Sequence, residues 1–195
     1  CTGAQLRKDV TYDDPGDAAR FAEALALDHT GELALVPRLV GLCLAIRREV
    51  VTRIGGFDTI FGYGNLEDDD LGLRATRAGF HLAIAFDAFV HHHGSATFRA
   101  LALDGVELAR RNFALFRDKW GVGDDASLEA TVAAAAASGP FDPERDVVPL
   151  DFAEVFHRRV PPLRLDATRP LRVLCAPDFA GTAWQARLGA VLRTF

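Results

Sequence analysis

The run "LVGLCLAI", Leu39 to Ile46, carries no charged side chain over eight residues. A near-continuous apolar run of this length fits a strand buried on both faces. Such a strand needs a sheet with cover on each side, which sets the expectation of an α/β fold. The flanking patterns agree. "DPGDAARFAEALALDHTG" has Ala18, Phe21, Ala22 and Leu25 at helical spacing, with Pro15 or Asp17 near its start and Gly31 as its stop. "ELALV" reads as a short strand broken from the next at Pro37, and "RREVVTRI" as a short helix ending at Gly55-Gly56.

A glycine-rich loop, "GGFDTIFGYGNLE", follows, and then four consecutive carboxylates, Glu67 to Asp70. The helix expected over Asp68 to Ala78 sets Leu71, Ala75 and Ala78 on one face, with Gly79 as its C-terminal stop. "FHLAIAFDAFV" reads as a strand that runs into "HHHGSATF". "ALDGVELARRNFALFRDKWG" is a helix with Val106, Leu108, Ala109, Phe113 and Phe116 as its apolar positions, and "SLEATVAAAAAS" is helical by propensity. The chain turns rich in Pro and charge over 139–170, which reads as a linker. "PLRVLCAPDFAGTAWQARLGAVLRTF" then reads as the first β-α unit of a second α/β domain, over 171–195.

Composition excludes several classes. The 195 residues are 49% hydrophobic and 25% charged, the balance of a globular chain. No apolar run reaches the roughly 18–20 residues of a membrane span. The net charge of −5 argues against binding along a nucleic-acid backbone. Cys1, Cys43 and Cys175 are far apart and odd in number, so they form neither a disulfide framework nor a CxxC metal pair. A reducing compartment is the simplest setting, and the expected location is the cytoplasm or the inner face of the membrane. The chain starts at Cys1 and has no Met, so it is expected to be a piece of a longer protein.

The acidic run has two readings. A carboxylate at a helix N-terminus is favoured by the dipole and by free N–H groups. That accounts for one or two acids. Each further neighbour makes the next harder to ionise, and the competition can leave one Asp suited to accept a proton. Pattern alone supports both readings. The triplet His91-His92-His93 is the second candidate site. Along an extended strand end, neighbours point to opposite faces, so His91 and His93 share one face and His92 takes the other. One or two of them could face the cleft of the acidic helix. The bland alternative is a solvated strand end.

The order "LVGLCLAIRREV", "IGGFD", "GNLEDDDLGLRATRAGF", "VHHHGSATF" and "RRNFALFRDKWG" resembles the C-terminal half of a family 2 glycosyltransferase of the GT-A fold. The resemblance covers about residues 1–121 and is densest over 39–121. It implies an α/β, Rossmann-like nucleotide-diphospho-sugar transferase fold, with residues 1–138 as its C-terminal half. It implies an inverting transfer from a nucleotide-sugar to an acceptor hydroxyl, in the assembly of surface polysaccharide or other glycan. Asp68 is then the general base. Glu67, Asn65 and Gly41 are the substrate-binding residues, and His92, or His91, is a ligand of an Mn2+ or Mg2+ ion on the donor diphosphate. The family's Asp-x-Asp motif has no counterpart at the end of a buried strand in residues 1–38, where "YDDP" reads as loop. "TGAQ" resembles the segment that follows that motif. The nucleotide-binding half is therefore expected to lie outside this chain, which alone would be inactive. Two other classes stay open: a non-catalytic carbohydrate-binding or assembly module, and a metal-dependent hydrolase.

Overall fold

The computed structural model describes residues 15–92, 98, 101–123 and 127–150. The segments "TGAQ" and "YDD", the third histidine His93, the rest of the expected linker over 151–170 and the expected β-α unit over 171–195 lie outside the described residues.

Helix α1 spans Pro15–Asp28. Proline suits a first turn, where its missing N–H costs nothing. Phe21 packs edge-on against Phe89, with ring centroids 4.9 Å apart. Strand β1, Leu33–Val36, follows the turn at Gly31 and ends at Pro37. It pairs antiparallel with β2, Leu82–Ala85, in the register Leu33↔Ala85 to Val36↔Leu82. Side chains alternate across this ribbon. Leu82 packs on the core, while Leu33 and Leu35 are 64% and 70% exposed.

The stretch Leu39–Ile46 is not a strand. It runs irregularly, half-buried to Leu44 and exposed beyond it. Among the described residues the only sheet is the β1–β2 pair, so this run has no ladder to join. One of its backbone donors, the Gly41 N–H, instead reaches Asp68. Its apolar content is used partly through Leu44, which packs beside Ile54 and Leu71. The strand expected over residues 80–90 is also shorter. Phe86 and Asp87 turn there, with the Phe86 N–H donating to the Glu32 carbonyl and the Asp87 carboxylate accepting from the Gly31 N–H.

Helix α2 is Arg48–Ile54, and a 3-10 turn covers Thr59–Phe61. Helix α3, Glu67–Arg77, is the central element. Its Leu71 and Ala75 join Ile54 in one apolar cluster, against which Ala78 also packs. Its Leu73 joins Phe61, Leu66, Phe116, Trp120, Val132 and Ala135 in another. Gly79, at φ 91°, ends the helix as the sequence predicts. Helix α4, Gly105–Trp120, is capped by Asp104, whose side chain accepts from the Val106 and Glu107 N–H groups. It buries Asn112, Phe116 and Trp120. Val106, expected on the apolar face, is 81% exposed, because six residues of helix set it about 120° away from Asn112.

Helix α5, Leu128–Ala137, buries Thr131, Val132 and Ala135. The stretch after it, read from sequence as the start of a linker, packs into the domain over its first part. Helix α6, Pro143–Asp146, sets the fully buried Asp146 against Arg77 Nε at 2.8 Å. Val148 bridges to Gly55 in a parallel pairing, and Phe141 sits under Arg53. No helix among the described residues is long and apolar enough to cross a membrane.

Candidate active site

The site is built where the glycine loop meets α3. Gly64, Asn65 and Leu66 take φ values of 119°, 69° and 72° in succession. For Asn and especially Leu this left-handed conformation costs about 1–2 kcal/mol each. Surrounding contacts hold it. Leu66 is buried in the larger core cluster. Asn112 Nδ2 lies 2.6 Å from the Phe61 carbonyl, 2.6 Å from that of Gly64 and 3.1 Å from that of Asn65. The Leu66 carbonyl then accepts from the Asp70 N–H at 2.9 Å, the first turn of α3. Glu67 to Asp70 therefore occupy one helical turn and fan out around it.

The four carboxylates divide by their partners. Asp70 is fully buried. Arg74 Nε donates to its Oδ2 at 2.8 Å, Trp120 Nε1 donates to its Oδ1 at 3.1 Å, and Lys119 Nζ is 2.7 Å from Oδ1. Arg74 also donates to the carbonyls of Ile54 and Gly56, at 2.9 and 2.6 Å. Lys119 reaches Asp58 at 2.7 Å. Burial pushes the Asp58 pKa up, but the Lys119 hydrogen bond and the Ile60 N–H outweigh it, and the net shift is downward. Asp70 is thus the hub that ties α3, α4 and the glycine loop together.

Asp69, 3% exposed, is held in a fork by Arg38 through Nε to Oδ1 and Nη2 to Oδ2, the latter at 2.9 Å. Burial, and the charge of Asp68, raise its pKa despite the arginine. The same pairing raises the pKa of Arg38.

Asp68 is different. The Gly41 N–H donates to its Oδ2 at 2.6 Å and the Asp69 N–H to its Oδ1 at 2.9 Å. No arginine or lysine among the described residues forms an ion pair with it. A side chain at Gly41 would put its Cβ 2.8 Å from Asp68 Cβ, so only glycine admits this approach. Glu67 is half-buried, and its Oε2 makes no hydrogen bond among the described residues. Burial first, then the charge of Asp68, raise its pKa. Asn65 Nδ2 is likewise buried without a partner there. An unfilled donor three residues before Asp68 and an unfilled acceptor one residue before it thus lead into that carboxylate.

The structure brings Gly41, Asn65, Glu67 and Asp68 to one junction. Among the described residues it does not bring His91 or His92 into a metal site. His91 and His92 are exposed and stand beyond the Phe86–Asp87 turn, off the end of β2, so strand alternation does not govern them. Among the described residues no three His, Cys, Asp or Glu side chains gather to hold an ion. The described residues do not by themselves make a metal site.

Sequence reasoning passed over Arg38, Asp58, Arg74, Asn112, Lys119 and Trp120. Three of these, Asn112, Lys119 and Trp120, stand in "RRNFALFRDKWG" and were legible there as polar or aromatic positions on an otherwise apolar helix face.

Residues 11–105 match the family model described as glycosyltransferase like family 2. This stretch is a partial family 2 glycosyltransferase domain. Its fold is α/β, a partial GT-A fold. No curated protein and no solved structure matches the chain. The match stops as α4 begins, yet that helix is bonded to the matched stretch. Asn112, Lys119 and Trp120 all bond to residues inside the matched stretch.

Proposed function

We propose that this domain carries the acceptor side of an inverting glycosyl transfer, from a nucleotide-sugar to a hydroxyl of a glycan or similar acceptor. The observation that carries the proposal is the sorting of the acidic turn. Asp69 and Asp70 are tied to cations, while among the described residues Asp68 accepts only from backbone N–H groups. A carboxylate held this way keeps lone pairs free for an incoming hydroxyl.

In the proposed reaction Asp68 takes the acceptor proton as the hydroxyl oxygen bonds to the anomeric carbon. The bond from that carbon to the diphosphate breaks on the opposite side, so the configuration inverts. Glu67 Oε2 accepts from a neighbouring acceptor hydroxyl, and Asn65 Nδ2 donates to an acceptor oxygen. The Gly41 amide fixes the direction of Asp68. To the intact enzyme we assign a divalent cation, Mn2+ or Mg2+, which would neutralise charge on the leaving diphosphate. His92, or His91, is the side chain this chain would offer it. The reaction is placed in the cytoplasm or at the inner face of the membrane.

The test is a transfer assay on the intact protein, with a panel of nucleotide-sugars and NMR of the product anomer. Inverted product is expected, and retained configuration would overturn the mechanism. Residues 1–195 alone are expected to bind nucleotide-sugars weakly or not at all with Mn2+ in titration calorimetry. Micromolar binding would mean that the donor site lies within this chain.

A further inference from the structure

We infer that Asn112 of α4 is a positioning residue for the transfer, acting through the backbone of the glycine loop. The inference rests on the reading of Asp68 as the base.

Asn112 is fully buried, in the middle of α4, yet its hydrogen bonds leave the helix altogether. Its two amide hydrogens are shared among the carbonyls of Phe61, Gly64 and Asn65, about 50 residues earlier in the chain. Its Oδ1 makes no hydrogen bond among the described residues, so the side chain's hydrogen bonding goes wholly to this loop. Those carbonyls belong to the segment in which Gly64, Asn65 and Leu66 are left-handed in succession. An unassisted chain rarely holds Asn and Leu side by side in that conformation. Relaxing either residue towards an extended or right-handed geometry would redirect the chain as it enters α3. Glu67 and Asp68 are the next two residues. Asp68 must stay within 2.6 Å of the Gly41 N–H, at a contact too close for any other residue at 41. Asn112 therefore fixes the loop, the loop fixes the entry to α3, and the entry aims the acid pair.

Arg74, and Asp70 through Lys119, hold the loop near its start, at Gly56 and Asp58, whereas Asn112 holds the left-handed stretch that leads into α3. Asn112 touches neither reacting atom, and its effect is on where Asp68 and Glu67 stand. Losing all its donors should thus lower turnover through misplacement. Misplacements of about 1 Å can cost about 10²-fold in rate.

The experiment compares Asn112→Ala, Asn112→Ser and Val132→Ala in the intact protein, with Asp68→Asn alongside. Val132→Ala trims the core cluster that also holds Phe61 and Leu66, but removes no hydrogen bond to the loop. Melting curves fix a temperature at which each variant is folded, and kcat and both KM values are measured there. Asn112→Ala should lose about 10²-fold in kcat at unchanged donor KM. Asn112→Ser, which keeps one donor, should lose less. Val132→Ala should keep its kcat despite a lowered melting temperature. Equal kcat in Asn112→Ala and Val132→Ala would overturn the positioning role. If the alanine variant does not fold, Asn112→Ser decides: an intermediate kcat supports the role and an unchanged kcat overturns it. Normal turnover in Asp68→Asn would remove the base reading itself. An inactive Asp68→Asn with a fully active Asn112→Ala would remove only the positioning role.

Discussion

Glu67 and Asp70 sit three residues apart in one acidic run and should answer mutation in opposite ways. Glu67 ionises at a cost set by its burial and by Asp68. That cost is complete above its raised pKa and is relieved as pH falls through that pKa towards the ordinary value. Glu67→Gln should therefore stabilise the fold at neutral pH by up to about 1 kcal/mol, with the gain shrinking on acidification. Denaturant melts at several pH values check this, and the same variant should lose acceptor affinity. Asp70→Asn leaves Arg74 and Lys119 facing a neutral amide inside the core. It should cost about 3–5 kcal/mol, read from the same melts. The run of acids stood out in the sequence as either a helix cap or a site. Its division did not, because Arg38, Arg74 and Lys119 reach it from positions that no local pattern connects to it.

At the scale of elements, the helices were legible and the long strands were not. The glycine stops and apolar spacing of α2, α3 and α4 are local signals, and the structure follows them to within about three residues. Leu39–Ile46 carried the composition of a buried strand, but a strand exists only with a partner, and composition does not supply one. What this segment does supply is Gly41. Gly41→Ala places a methyl 2.8 Å from Asp68 Cβ and forces the segment away from α3. It should cost about 1–3 kcal/mol by thermal or chemical melting. It should also lower turnover beyond what the lost stability explains, because Asp68 loses its Gly41 N–H.

For the molecule as a whole, the composition shift at 139 marked a boundary by sequence, yet residues 141–148 close over α2 and α3. Asp146 is buried against Arg77, and burial's upward push on its pKa is outweighed by Arg145, by the Asp142 N–H and by Arg77. Its folded pKa, like that of Asp58, lies below the unfolded value of about 3.9. Their stabilisation is fully present above that value and is lost as pH falls through the folded values. A chain cut after residue 138 loses the Arg77–Asp146 pair and the packing of Phe141 and should lose about 3 kcal/mol or more, measured against a chain cut after residue 150. In the acidic turn of α3, Asp69 and Asp70 hold the fold, and Asp68 is the carboxylate we propose for the chemistry. The most direct measurement is the turnover of intact Asp68→Asn beside its melting temperature. A loss of about 10²-fold or more in kcat is expected, with the melting temperature nearly unchanged. Near-normal turnover, or a loss of activity that merely follows a loss of stability, would contradict that role for Asp68.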